Sequence, residues 1–180
     1  MIAPSSLPGF DRRLCVVANR WGARRVVGVF FGAISRLGDG AFWYALMLAF
    51  ALLGGMRGAQ AALHMLATGA VALALYRGLK RWARRPRPFR ACDGVVAHVP
   101  PLDEFSFPSG HTLHAVSFSI VALAYFPALA ALLLPFTALI AASRVVLGLH
   151  YPSDVLAASV LGIGLGSLSL WLGPGSTPFA

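Results

Sequence analysis

Acidic side chains are scarce in this chain, with only 6 Asp and Glu among 180 residues. Against 15 Lys and Arg they leave a formal net charge of +9, and the four charged types together make up just 12% of the sequence. A soluble domain carries about a quarter of its residues charged. So small a charged fraction, with a mean hydropathy of +0.74, excludes an ordinary water-soluble protein. Cysteine is nearly absent too: Cys15 and Cys92 support neither a disulfide framework nor a four-thiolate zinc site. Residues 1–10 contain Pro4 and Pro8 and lack an apolar stretch followed by a small-residue cleavage pattern, so they do not read as a removable signal peptide. No internal repeat stands out.

What the chain has in abundance is apolar sequence, 58% of its residues. A helix crosses a bilayer with about 20 residues, and about 17 suffice when its ends are recessed. Residues 41–56, 59–79, 128–146 and 155–172 approach that length. A shorter segment, 112–126, holds no charge between Gly110 and Pro127 and reads as a fifth span. Within 14–35, the apolar part 26–34 is too short to cross and follows Arg20, Arg24 and Arg25, which fits an interfacial amphipathic helix. The expected fold is therefore all-α. It is a single membrane domain over 1–180, with an interfacial region at 1–36 and a transmembrane core at 41–172. That core is a multi-pass helical bundle of five spans, or six if 26–34 belongs to a distorted further one. Pro86, Pro88, Pro100 and Pro101 make 84–107 an extramembrane loop, and the Gly- and Pro-rich tail after Leu172 reads as frayed.

An excess of positive charge suits nucleic acid, anionic lipid or an anionic substrate, and the hydrophobicity argues against nucleic acid. The basic residues cluster between Arg12 and Arg36 and between Arg77 and Arg90, with only Arg144 beyond. Such clusters mark membrane interfaces or a phosphate site.

Three polar islands stand at the ends of the spans. The first, Lys80 to Pro88, offers a point charge at Lys80 and the planar fork of Arg87, both suited to phosphate oxygens. Alone it reads more simply as a basic stop that anchors a helix at the headgroups. The second, Phe107-Pro108-Ser109-Gly110-His111, opens a span. Helix-start amides, a glycine that admits close backbone approach and the Ser109 hydroxyl make an anion cradle, with His111 beside it as a proton donor. A plain helix cap, or Ser109 as nucleophile, are the competing readings.

The third island runs from Ser143 to Asp154 between the last two spans. Arg144 lies deep in an apolar run and needs an anionic partner, either Asp154 or a ligand. His150 and Asp154 are four apart at a helix opened by Pro152, so the carboxylate can fix one imidazole nitrogen and free the other to attack phosphorus. The plainer alternative is an Arg–Asp pair closing a helical corner with His150 as bystander. Between Arg87 and Ser109 there is no span, and between His111 and Arg144 there are two, so all three islands fall on one membrane face. Lys80, Arg87 and Arg144 brought together at low dielectric repel unless an anion of more than one charge sits among them.

Lys80 to Pro88, Pro108 to His111 and Ser143 to Asp154 resemble, in order and without a missing position, the K-x6-RP, PSGH and SR-x5-H-x3-D signature of the phosphatidic acid phosphatase type 2 family. The resemblance implies metal-independent phosphoryl transfer from a membrane lipid, with no cofactor, through a phosphohistidine. By similarity His150 is the nucleophile, Asp154 orients it, and His111 protonates the leaving oxygen and later activates water. Lys80, Arg87 and Arg144 would clamp the phosphate, with Ser109 and the Gly110 amide completing the cradle and no metal bound. The size matches small bacterial undecaprenyl diphosphate phosphatases, whereas larger members carry six spans. The resemblance also implies a bacterial inner-membrane protein whose site faces outward, toward the periplasm. The positive-inside rule opposes this under five spans, because Arg12 to Arg36 then share the face of the site.

The remaining polar residues draw plainer readings. His114 is expected to pack between helices, and His64 and His98 belong to no motif. Trp43 and Tyr44 read as interface anchors, and Asp103 and Glu104 as loop solvation. Glycines 162–166 suggest close helix packing, within the chain or in a homo-oligomer. A transporter would spread its charges along a path, and a non-catalytic lipid anchor would not need His111, His150 and Asp154. The hydropathy excludes a soluble haloperoxidase.

Overall fold

In hydrocarbon every backbone amide must be bonded within the segment, so apolar runs of this length become helices. The computed structural model describes residues 9–173. Its elements are α1 (Gly9–Gly22), α2 (Arg25–Arg36), α3 (Phe42–Leu53), α4 (Gly55–Ala83), a short α5 (Pro88–Ala91), α6 (Gly110–Tyr125), α7 (Ala130–Val146) and α8 (Pro152–Leu172). Most of the tail after Leu172 and most of residues 1–10 lie outside the described residues.

Among the described residues four stretches are long and apolar enough to cross a membrane: Arg25–Leu53, Gly55–Ala91, Pro127–Val146 and Pro152–Leu172. The 16-residue α6 is shorter and runs through the middle of the bundle, packed against α4, α7 and α8. Trp43, Met47 and Phe50 of α3 meet Met65 of α4, Phe118 and Val121 of α6 and Phe136 and Ile140 of α7 in the main core. The outer surface stays apolar, with Leu52, Leu63, Val71, Leu132, Leu156, Val160 and Trp171 exposed, as lipid-facing side chains are. Gly162 and Gly166 of α8 are buried against α6, where a Cβ would meet Val116 at 2.9 Å and Ile120 at 3.0 Å. Their close packing is thus satisfied inside the chain.

The N-terminal region departs from the single interfacial helix read over 14–35. Residues 23–24 break it into α1 and α2, and α2 leads through one π-helical turn, Leu37–Ala41, into α3. The bend is at Gly40, whose φ of 133° is open to glycine and strained for other residues. Gly22, just before α2, lies against the carbonyl of Val146, and Gly38, just after it, lies against Ile140. Both ends of α2 therefore stay at one end of α7, as an interfacial helix does. The amphipathic α1 packs on α7 and α8 and buries Asp11, Cys15 and Asn19.

Candidate active site

The chain delivers the three islands to one end of the bundle through distinct local devices. At the end of α4, Arg84 adopts a left-handed φ of 46° and stops the helix, and Pro86 and Pro88 keep the next residues from continuing it. In extended chain alternate residues share a side. Arg85 and Arg87 accordingly both turn inward and are buried, while Arg84 stays out. At the start of α6 the Ser109 hydroxyl caps the helix, accepting from the Thr112 amide at 3.4 Å and pairing with the Thr112 hydroxyl at 2.9 Å. Between α7 and α8, Gly148 has φ 74°, and a Cβ there would stand 2.5 Å from the Val96 carbonyl. That turn brings His150 back over the end of α7, with its amide bonded to the Arg144 carbonyl at 3.0 Å. Pro152 then opens α8 and Asp154 closes a capping box by accepting from the Tyr151 amide at 2.9 Å.

His150 is 2% exposed and fixed at both ring nitrogens. Its Nδ1 lies 2.5 Å from the Ser106 carbonyl, an acceptor only, which assigns the ring proton to Nδ1. Nε2 is left unprotonated and accepts from a terminal N–H of Arg87 at 3.4 Å. The expected direct Asp154 contact is longer, 3.8 Å from Nδ1. Asp154 instead accepts from the Ser106 hydroxyl, so it reaches His150 through the residue whose carbonyl holds the ring. Its other oxygen pairs with Arg85 at 2.5 Å. Arg85 also bonds Asp11 at 2.8 Å and Ser153 at 2.8 Å and lies over the Tyr151 ring at 4.0 Å. Burial, with the Arg144 and Arg87 charges, outweighs the pull of Asp154 and takes the His150 imidazole down to about 3, so the ring is neutral.

The cations are arranged differently from a bare clamp. Lys80 and Arg87 both bind one carboxylate oxygen of Asp103, at 2.7 and 2.8 Å. Lys80 further donates to the Phe105 carbonyl at 2.6 Å, and Arg87 to the carbonyls of Asp103 at 3.0 Å and Leu149 at 2.8 Å. Asp103 is thus a counter-ion inside the site, which corrects its reading as loop solvation. Burial alone would raise its carboxyl, but the Lys80 hydrogen bond and the two cations hold it below the usual carboxylate range. Glu104 does stay at the surface, 3.6 Å from Arg90.

Arg144 is 2% exposed and donates to the Ser35 hydroxyl. Among the described residues it has no carboxylate within ion-pair distance, and its Nε is buried without a partner. The Arg–Asp pair that closes the α7–α8 corner is made by Arg85, so of the two partners the sequence allowed for Arg144, Asp154 is excluded.

A cavity of about 400 Å³ joins these groups. Arg87, Asp103, His111, Arg144, His150 and Asp39 line its polar end, and Trp43, Met47, Leu66, Leu73, Tyr76 and Phe118 line the remainder. Tyr44 and Leu66, both exposed on the outer surface, also line it, so the cavity reaches the lipid-facing side between α3 and α4. Trp43 is 1% exposed and belongs to this wall, not to an interface belt. His114 lines the cavity as well, with Nδ1 at 2.8 Å from the Gly110 carbonyl. Gly110 lines it, whereas Lys80, Ser109 and Asp154 stand behind its wall. His64 bonds the Tyr125 hydroxyl at 3.1 Å, and His98 lies 3.1 Å from the Asn19 carbonyl, both outside the site.

Asp11, Asp39, Arg85, Asp103 and Ser106 are thus site residues that motif spacing did not single out. One signal was present. Four of the six acidic residues of an apolar chain stand here, and an acid retained in such a background needs a reason.

Buried guanidinium groups around a neutral imidazole, at the head of an apolar cavity in a helical bundle, have the chemistry to hold an anionic group joined to an apolar one. Residues 61–177 match the PAP2 superfamily, and the chain belongs to that family. It is 35% identical over 126 residues to undecaprenyl-diphosphatase BcrC of Bacillus subtilis, covering 69% of this chain and 65% of that protein. It is 25% identical over 158 residues to phosphatidylglycerophosphatase B of Escherichia coli, covering 63% of this chain and 62% of that one. The chain thus spans less than two thirds of the length of these two relatives. Among solved structures, Aquifex aeolicus LpxE superposes with a TM-score of 0.79 at 25% identity, over 94% of this chain and 99% of that one. A transmembrane PAP2-type phosphatidylglycerolphosphate phosphatase from Bacillus subtilis gives 0.76 at 26%, over 95% and 88%.

Proposed function

We propose that the chain is a metal-independent lipid phosphatase that works through a phosphohistidine at His150. The observation that carries this reading is the unprotonated Nε2 of a buried, neutral His150, which meets only the Arg87 guanidinium among the described residues, at the polar end of a cavity whose other walls are apolar. A lipid tail in that cavity leaves its phosphate against Arg87, Arg144 and the start of α6. Nε2 attacks the terminal phosphorus and forms the N–P bond as the bond from phosphorus to the leaving oxygen breaks, the bridging oxygen in a diphosphate and the lipid oxygen in a monophosphate. His111 gives its proton to that oxygen. Water then attacks the phosphohistidine, His111 takes one of its protons, and His150 leaves neutral. Ser106 and Asp154 keep the ring oriented, while Lys80 and Ser109 support the clamp and the helix start from behind the cavity wall.

Undecaprenyl diphosphate is the preferred substrate, supported by the chain's size and its identity to BcrC. Phosphatidic acid, phosphatidylglycerol phosphate and lipid A phosphates are the alternatives, the second supported by the Escherichia coli and Bacillus subtilis phosphatidylglycerol phosphate phosphatases. A panel of these lipids offered to purified protein separates them. A bacterial inner-membrane location with the site outward is part of the proposal and rests on the resemblance. The arginines of α1 and α2 lie on the side of the site and favour the reverse. Labelling a cysteine introduced near Gly173 in intact cells decides between the two, because α8 ends on the opposite side.

His150→Ala should abolish phosphate release from every lipid while leaving expression intact, and an undiminished rate would remove the assigned nucleophile. Orthovanadate should inhibit as a mimic of five-coordinate phosphorus, and it would leave a non-catalytic lipid anchor unaffected.

A further inference from the structure

Only one imidazole in the cavity is hydrogen-bonded to a carboxylate among the described residues, and it is His111, not His150: its Nε2 is bonded to Asp39. Asp39 comes from outside the three islands, 72 residues before His111 in the chain. It sits in the π-helical turn between Gly38 and Gly40, and the bend at Gly40 is what interrupts the path from α2 into α3. The bend leaves Asp39 and both flanking glycines lining the cavity. One turn earlier, Ser35 of the same segment holds Arg144.

The charges around His111 make this carboxylate consequential. Arg144 faces it from α7 and His114 from its own helix, and among the described residues Asp39 is the acid bonded to it. A general acid must carry an extra proton when the leaving oxygen needs it, and a neighbouring guanidinium opposes that state. An ionised Asp39 accepting from Nε2 stabilises the imidazolium and fixes the ring. Serving Arg144 instead would require an ion pair, and Asp39 makes none with it within 4.0 Å.

We propose that Asp39 is a positioning residue for the acid–base histidine. It accepts from His111 Nε2 throughout, so the travelling proton is carried on Nδ1. In the first half-reaction that proton passes to the lipid oxygen as its bond to phosphorus breaks, leaving His111 neutral. In the second it is restored from the attacking water, whose oxygen becomes part of the released phosphate. Asp39 stays ionised in both halves. This rests on the reading of His111 as the general acid.

The role is separable from a structural one by leaving group, because a lipid alkoxide needs a proton to depart and p-nitrophenolate does not. Asp39→Asn should lower the single-turnover rate of alcohol release from a lipid monophosphate by about 10- to 100-fold at saturating substrate, and lower the p-nitrophenolate burst rate by less than about 3-fold. Asp39→Glu should recover part of the lipid rate, and Asp39→Asn on a His111→Ala background should cost nothing more. Equal losses on both substrates, a change confined to KM, or a full further loss on the His111→Ala background would overturn the inference. If His111→Ala hydrolyses the lipid normally, the parent reading fails instead. If His111→Ala is impaired on the lipid and Asp39→Asn hydrolyses it at the unmodified rate, only the role of Asp39 falls.

Discussion

Arg85 holds the site together without touching the cavity, and replacing it with methionine tests that directly. The guanidinium pairs with Asp154 at 2.5 Å and Asp11 at 2.8 Å, and the side chains of the three are 9%, 0% and 4% exposed. Methionine approximates the volume and leaves two carboxylates in low dielectric with no cation. Removing one partner of a buried pair costs about 3–5 kcal/mol, chiefly because the stranded charge is not resolvated. At about 2–4 °C per kcal/mol for a chain of this size, the loss corresponds to a fall of about 6–20 °C in melting temperature. Thermal unfolding of detergent-solubilised protein, followed by circular dichroism, reads this out. Arg84→Met is the control: Arg84 is exposed and among the described residues its side chain bonds only the Arg81 carbonyl, so its loss should stay within about 0.5 kcal/mol. Arg85→Met should also lose turnover at temperatures where it is still folded, because Asp154 steadies Ser106 and Ser106 holds His150. Equal melting temperatures for the two variants would refute the argument.

Two further outcomes follow from the charges in the site. Asp103 lies across Lys80 and Arg87 where a phosphate is expected, so Asp103→Asn should tighten orthovanadate inhibition severalfold at neutral pH; weaker inhibition would mean that Asp103 instead shapes the clamp. Acid stability should depend on His150, whose folded value of about 3 lies far below the about 6.5 of an unfolded histidine. Above pH 6.5 or so neither state binds the proton. As pH falls below that, only the unfolded chain takes it up, and stability drops until the folded value is reached near 3. His150→Gln should flatten melting temperature against pH over this window, and an unaltered slope would count against a buried neutral ring.

The parts of the site visible in the sequence are those whose spacing is local. Lys80 and Arg87, Ser109 and His111, and Arg144, His150 and Asp154 each sit within one helix end or corner, where backbone geometry sets the distances. The alternation of span directions then put all three on one face. The residues missed are those recruited by tertiary approach. Asp11 reaches Ser153 across 142 positions and Arg85 reaches Asp154 across 69, separations over which no periodicity speaks. Asp103 sits in a Pro-rich loop, where an acid ordinarily faces water. Asp39, between two glycines, looks like turn chemistry, and it is that. The bend it makes is also what aims its carboxylate into the cavity. The same reasoning explains the N-terminal helices, since residues 14–35 give no sign that the chain breaks at 23–24.

Catalysis through His150 requires a covalent bond from phosphorus to its Nε2. Purified protein given a lipid substrate with radiolabelled phosphate, quenched within the first turnover and digested under alkaline conditions, should yield one labelled peptide, carrying acid-labile phosphate on His150. Label on another side chain, or full hydrolysis with no trapped phosphoenzyme under conditions that slow the second step, would contradict it.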